Sequence, residues 1–204
     1  MAKTVDPKET TRAMAYALWM KAPNPMVTFF KTLNVANLIR ICKKGKKFNM
    51  LMLYCIGNAA TRIPEFFLLP VGDKLIQYDS IALNAIIKGK NGTIHSCDMP
   101  FSESLDVFEK TYLEYSAFSA ENHQDIDLSA DNMVIGTSAV IDTELDGVVN
   151  MYSGYSNPFI IWGRYRKKLF RTYLPVSFQF HHTQMDGAHA GRFLENLQKE
   201  INGL

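Results

Sequence analysis

Residues 173–189 read YLPVSFQFHHTQMDGAH, and the rest of the chain is best read outward from that stretch. From Tyr173 to His181 the residues alternate. Val176, Phe178 and Phe180 fall on one face and Ser177, Gln179 and His181 on the other, the period-two pattern of a strand. From Gly187 the period changes, and Ala190, Phe193, Leu194, Leu197 and Ile201 share one stripe of a helix over 187–201. His181-His182-Thr183-Gln184-Met185-Asp186-Gly187 is therefore a strand-to-helix loop with two imidazoles, a carboxylate and a glycine that lets the backbone turn sharply. His182 lies just past the strand end, in phase with the apolar face. An imidazole titrates near neutral pH, so it can take a proton from an alcohol or thiol and return it later. Two other readings stand beside that one. The histidine pair closes the strand while Asp186 only caps the helix, or His182, Asp186 and His189 ligate a metal, although no further His or Cys lies nearby in sequence.

The remaining second half reads as strands at Met133–Ile141 and Pro158–Tyr165, after a polar loop over 121–131. The first half mixes types. A helix over 8–20 ends at Pro23-Asn24-Pro25, and a strand follows over Met26–Leu33. Asn34 is placed to cap a helix with Val35, Leu38, Ile39 and Cys42 on one stripe, stopped at Gly45. Asn49 is placed to cap an almost wholly apolar helix through Thr61, broken at Pro64, whose composition predicts burial on most sides. Phe66–Val71 and Lys74–Tyr78 flank the turn Gly72-Asp73, and Ile81–Ile87 and Thr93–Cys97 flank a turn at 89–92. Ser102 is placed to cap an amphipathic helix to Ala120, with Leu105, Phe108, Tyr112 and Tyr115 on one side. No fixed-period repeat and no Ser/Pro/Gly-rich linker divides the chain. The expectation is one α+β domain over residues 1–204, a mixed β-sheet flanked by helices.

Composition narrows the function classes. The chain has 204 residues, enough to bury a substantial core, with 47% hydrophobic and 21% charged residues, a globular balance. A formal net charge of +2 argues against a nucleic-acid partner, and the cluster Lys43-Lys44-Gly45-Lys46-Lys47 is local. Its ordinary role is a solvated loop, but it can also meet a phosphate-bearing ligand. Three cysteines, Cys42, Cys55 and Cys97, form neither a CxxC pair nor a disulfide framework, as suits a reducing compartment. The first residues lack the apolar core of a signal peptide, and no run approaches the roughly eighteen apolar residues that span a bilayer. The expectation is a soluble, cytoplasmic protein with no membrane partner.

With these elements in order, the chain resembles the chloramphenicol acetyltransferase family, the trimeric acyltransferases marked by HHxxxDG. The resemblance rests on the tail from His181 to His189 with Gly191-Arg192-Phe193 and Leu197-Gln198, and on Ile63-Pro64-Glu65-Phe66 with Tyr78-Asp79-Ser80. Asn157-Pro158-Phe159-Ile160-Ile161-Trp162-Gly163-Arg164-Tyr165 adds to it. It implies a single domain of the CoA-dependent acyltransferase type. It also implies acetyl-CoA as co-substrate, no permanently bound cofactor and no metal, and a homotrimer with active sites between subunits. The family's base falls on His182, its structural aspartate on Asp186, and that residue's arginine partner on Arg12. Read without the resemblance, Arg12 is an exposed helix charge. The oxyanion hydroxyl falls on Thr137 by gap-free alignment and on Ser138 by matching the Ser-Ala pair. The basic contacts to the coenzyme fall on Lys47 and Arg164, with Tyr165 adjacent.

The departures concern the acceptor. Val140-Ile141 stands where the family has Pro-Trp, Phe67 stands at an arginine, and the aromatic pair lining the antibiotic pocket falls near Ala17 and Leu18. The implied reaction is O-acetylation of a small hydroxylated molecule, chloramphenicol or a relative, with weakened binding of a nitrophenyl ring. The alternatives are the same transfer to another alcohol or an amine, or a catalytically silent trimeric binding protein.

Overall fold

The computed structural model describes residues 2–169 and 171–204. Strand β10 (Arg171–His181), the one predicted from alternation, is the hub of the larger sheet. It runs antiparallel to β2 (Met26–Asn34) from Tyr173–Asn34 to His181–Met26, and on its other edge it pairs with β8 (Phe159–Gly163) and β9 (Arg166–Lys168). β8 continues in parallel to β7 (Met133–Val140), which is parallel to β5 (Ile81–Lys88), and β6 (Ile94–Pro100) closes the far edge antiparallel to β5. The resulting order is β2-β10-β8-β7-β5-β6. A separate small sheet joins β1 (Lys3–Val5), β4 (Lys74–Gln77) and β3 (Leu68–Val71), its hairpin turned by Gly72 at φ +59°.

The core lies where α3 (Phe48–Thr61), α5 (Gly187–Gly203) and their neighbours α2 (Ala36–Cys42) and α4 (Leu105–Asn122) cover one face of this sheet. Val176, Phe178 and Phe180 all point into it and are buried. Phe178 meets Phe193 of α5 with ring centroids 4.6 Å apart and Phe66 at 6.1 Å. The opposite face of β10 is polar in sequence yet also buried. The coil at residues 141–157 lies over it, and its backbone bonds the side chains there: Val148 N–H donates to Ser177 Oγ, and Gln179 Nε2 donates to Asn150 C=O, each at 2.8 Å. A period-two pattern thus marks two differently covered faces, one apolar and one hydrogen-bonded.

Element boundaries differ from the sequence reading wherever local chemistry intervenes. The helix expected over 8–20 is split. Asp6 caps a short 3-10 turn at Pro7–Glu9, Thr10 is extended, and α1 spans Ala13–Trp19. Asn34 belongs to β2, though its Oδ1 still accepts from Ala36 N–H at 3.2 Å. The caps of α3 and α4 are Lys47 and Ser104 rather than Asn49 and Ser102. α4 runs into the stretch expected as loop and ends at His123 in the left-handed conformation. Pro64 starts a 3-10 turn through Phe67, so the strand begins at Leu68. β1 and β9 were not expected, being short and lacking a periodic signature. Among the described residues no helix is long and apolar enough to cross a membrane.

Candidate active site

The loop after β10 is held by one guanidinium. Arg12, just before α1, is 4% exposed and uses all three sides of its fork. Nε donates to the Thr183 carbonyl at 3.0 Å, one terminal nitrogen to the His182 carbonyl at 2.9 Å, and the other to Asp186 Oδ2 at 3.1 Å. The planar, preorganised fork is what lets one side chain meet two carbonyls and a carboxylate together. Arg12 is therefore not an exposed helix charge. Asp186 meanwhile caps α5, its Oδ1 accepting from Ala188 and His189 N–H. Burial pushes its carboxyl up, but the Arg12 hydrogen bond, the His189 charge and the two backbone N–H groups outweigh this and hold it below the ordinary carboxylate range. Capping and ion pairing are thus two roles of one side chain. Gly187 does not adopt a left-handed conformation; a Cβ there would sit 3.3 Å from the Phe29 ring, so close approach rather than turning explains it.

The two histidines are not equivalent. His181 is 2% exposed, and its Nδ1 accepts from Thr183 N–H at 3.1 Å. Burial, with a smaller contribution from the charge of His182, pushes its pKa down to about 4, so it is neutral at pH 7 with that nitrogen engaged. His182 is partly exposed. Its N–H donates to the Pro25 carbonyl at 2.8 Å, and its ring stacks on Trp19 with centroids 4.6 Å apart and planes 15° from parallel. Its Nδ1 is buried and, among the described residues, has no hydrogen-bond partner. Trp19 is an aromatic neighbour the sequence reading missed. That reading looked for aromatic rings at Ala17 and Leu18, but Leu18 is 62% exposed and the adjacent Trp19 meets the imidazole. His189, considered above as a metal ligand, turns its Nδ1 to Asp186 Oδ1 at 2.9 Å and its Nε2 to Glu65 Oε1 at 3.3 Å. No group of three or more His, Cys, Asp or Glu able to hold a metal occurs among the described residues.

The candidates for the coenzyme meet in a cleft of about 770 Å³ lined by Lys47, Phe48, Arg164, Tyr165, Lys167 and Trp162, among others. Lys47, Arg164 and Tyr165 are brought together from α3's cap and the end of β8, elements distant in sequence. Nearby basic residues are already paired, Lys46 with Glu109, and Arg166 with Glu144 and Asp146. Lys167 at the same cleft was not anticipated, because a lone lysine in a basic run carries no signal of its own. At the inner end a void of about 20 Å³ shares Asn49, Tyr112 and Trp162 with the cleft and is also lined by Thr137. Thr137 is 3% exposed and its hydroxyl donates to the Asn84 carbonyl at 2.7 Å. Ser138, one residue on, points to the opposite face of β7 and lines neither cavity.

Thr137 and His182 of one chain do not face each other. Thr137 pairs with Ile160, and Ile160 with Phe178, four residues before His182. Two strand spacings and four residues of rise separate their Cα atoms by roughly 16 Å. Ile160 and Phe178, both wholly buried, fill the space between.

The family model for chloramphenicol acetyltransferase matches residues 3–198. Among characterised relatives, chloramphenicol acetyltransferase 3 of Escherichia coli is 27% identical over 169 residues, 76% of this chain and 76% of its own length. The chloramphenicol acetyltransferase of Clostridium perfringens is 28% identical over 185 residues, covering 86% of this chain and 87% of the relative. A solved chloramphenicol acetyltransferase structure superposes with a TM-score of 0.85 at 21% identity, over 98% of this chain and 100% of that one. The dihydrolipoamide acetyltransferase of Azotobacter vinelandii superposes with a TM-score of 0.71 at 16% identity, over 95% and 86%.

Proposed function

The chain belongs to the chloramphenicol acetyltransferase family, and from that premise we propose that it moves an acetyl group from acetyl-CoA to the hydroxyl of a small acceptor, with His182 as the base. The observation that carries this reading is the Arg12 clamp, which ties the His182 carbonyl and Asp186 to one buried guanidinium. His182 Nε2 removes the acceptor's hydroxyl proton as the oxygen attacks the thioester carbonyl. The tetrahedral intermediate then expels the thiolate of coenzyme A, and the imidazolium returns its proton to that sulfur. A positioned base contributes about 10²–10⁴-fold and one oxyanion donor about 10²–10³-fold.

Thr137, at the inner end of the cleft, is the better oxyanion donor than Ser138 on the other sheet face. Its hydroxyl exchanges the Asn84 carbonyl for the developing negative charge. Lys47 and Arg164, with Tyr165, line that cleft and suit the coenzyme's phosphates. The base must reach the attacking hydroxyl and the oxyanion donor the carbonyl oxygen beside it, each at about 3 Å, so the separation within a chain favours His182 working on a cleft of a neighbouring copy, in a cytoplasmic homotrimer. Chloramphenicol is the first acceptor to assay, with Trp19 supplying the flat surface that Ala17 and Leu18 lack.

The test is continuous detection of coenzyme A thiol with acetyl-CoA and a panel of alcohols and amines. Turnover is expected with at least one alcohol, and His182→Ala is expected to abolish it while the assembly stays intact. Absence of thiol release with every acceptor supports a silent binding trimer instead, and loss of activity in His181→Ala with activity kept in His182→Ala refutes the base assignment.

A further inference from the structure

The Arg12 clamp has a second arm that ends far from the loop. Glu65, in the 3-10 turn Pro64–Phe67, is 6% exposed. A buried carboxylate is unstable unless it is paired and hydrogen-bonded. Both polar contacts found for it converge on Oε1, where the Thr11 hydroxyl donates at 3.1 Å and His189 Nε2 lies at 3.3 Å. Arg12 is the next residue along from Thr11, but its guanidinium is fully used by Asp186 and the two carbonyls. His189 is therefore the group that balances Glu65.

His189 stands in the first turn of α5, where its side chain and that of Asp186 cap each other's backbone N–H in a capping box. Its ring spans two carboxylates, with Nδ1 2.9 Å from Asp186 Oδ1 and accepting from the Asp186 backbone N–H at 3.3 Å, and with Nε2 on Glu65. Asp186 needs that support, since its side chain is 40% exposed and water competes for both oxygens. The contacts form one chain running from Glu65 through His189 and Asp186 to Arg12, and from Arg12 to the His182 carbonyl.

We propose that His189, held by Glu65, is a positioning residue for the base: it keeps Asp186 turned onto Arg12 and so sets the backbone that carries His182. The inference rests on the assignment of His182 as the base. His189 touches neither substrate nor reacting atoms, so its loss acts on kcat and leaves substrate binding alone.

The test uses the full-length enzyme, steady-state kinetics with both substrates varied, and four substitutions. His189→Ala is expected to lower kcat about ten-fold, the loss of one charge-assisted contact, with both KM values within about two-fold. His189→Asn places an amide oxygen near the position of Nδ1, able to accept from Asp186 N–H, and so keeps the arm to Asp186, whereas His189→Gln reaches toward Glu65 only; Asn is expected to rescue kcat and Gln is not. In an Asp186→Asn background His189→Ala is expected to have no further effect on kcat, a coupling that general loosening of the fold does not produce. Additive losses overturn the proposal, as does equal activity of the Asn and Gln variants or a kcat for His189→Ala within about two-fold of the parent enzyme. His182→Ala is assayed alongside. If it is inactive, these results judge His189 alone; if it is active, the base assignment falls and this inference falls with it.

Discussion

Replacing Arg12 with Met keeps the unbranched stem and most of the volume of the side chain and removes every donor, so it isolates what the clamp contributes. Three contacts disappear, to the carbonyls of Thr183 and His182 and to the Asp186 carboxylate. Thr183 is wholly buried, so its carbonyl is left without a partner, at about 1–3 kcal/mol. The Asp186 side chain is 40% exposed and recovers water, so its share is at the low end, below about 1 kcal/mol. The sum is roughly 1–4 kcal/mol, which for a chain of this length lowers Tm by roughly 2–15 °C. The electrostatic part has a definite pH dependence. Asp186 titrates below the ordinary carboxylate range when folded, so the pair's stabilisation is fully present above that range and is lost as pH falls through the depressed value. Activity is expected to be hit harder than stability, because freeing the His182 carbonyl lets the proposed base drift, and a displacement near 1 Å is worth about 10²-fold in rate. Thermal unfolding at several pH values and thiol-release kinetics on the same preparation measure both. A Tm within about 2 °C of the parent and an unchanged kcat would refute the clamp as the element that organises this loop.

Two further outcomes follow from other parts of the site. His181 is neutral down to about pH 4 when folded but protonates near its ordinary value when unfolded, so its burial destabilises the protein progressively as pH falls from about 6.5 to 4, by up to about 3 kcal/mol. His181→Asn keeps an acceptor for Thr183 N–H and removes the titration, so the difference between its stability and that of the parent enzyme should be constant above pH 7 and shift in favour of the variant across that window; a difference independent of pH throughout would mean that the imidazole is not buried neutral. Lys47→Ala and Arg164→Ala are each expected to raise the KM for acetyl-CoA by about two- to five-fold without changing kcat, and the effect should shrink with added salt and with acetyl-dephospho-CoA. An effect on kcat, or none on KM, would move the coenzyme's phosphate away from this end of the cleft.

Much of this protein is written locally. The alternation over Tyr173–His181, the stripe over 187–201 and the loop between them are short-range patterns set by backbone periodicity, and they identify β10, α5 and the loop bearing His182 without reference to the rest of the chain. Their match to a known family pattern also pointed to Arg12 and to the cleft residues Lys47, Arg164 and Tyr165, which the fold brings together. Boundaries were less legible because caps compete: Lys47 and Ser104 start helices that Asn49 and Ser102 could equally have started, and Arg12 follows a break that no periodicity marks. Only tertiary structure decided the rest. Which histidine is engaged and which is partly free depends on burial and on the Thr183 N–H, not on residue type. Thr137 and Ser138 are adjacent in sequence, and the pleat alone sends one to the small void beside the cleft and the other to the opposite face. Trp19 carries no pattern of its own, and Glu65 and His189 lie in the family-like segments without a role being legible there; their meaning comes from contacts made across 54 to 174 residues of chain, where free energy depends on geometry that the order of residues does not display.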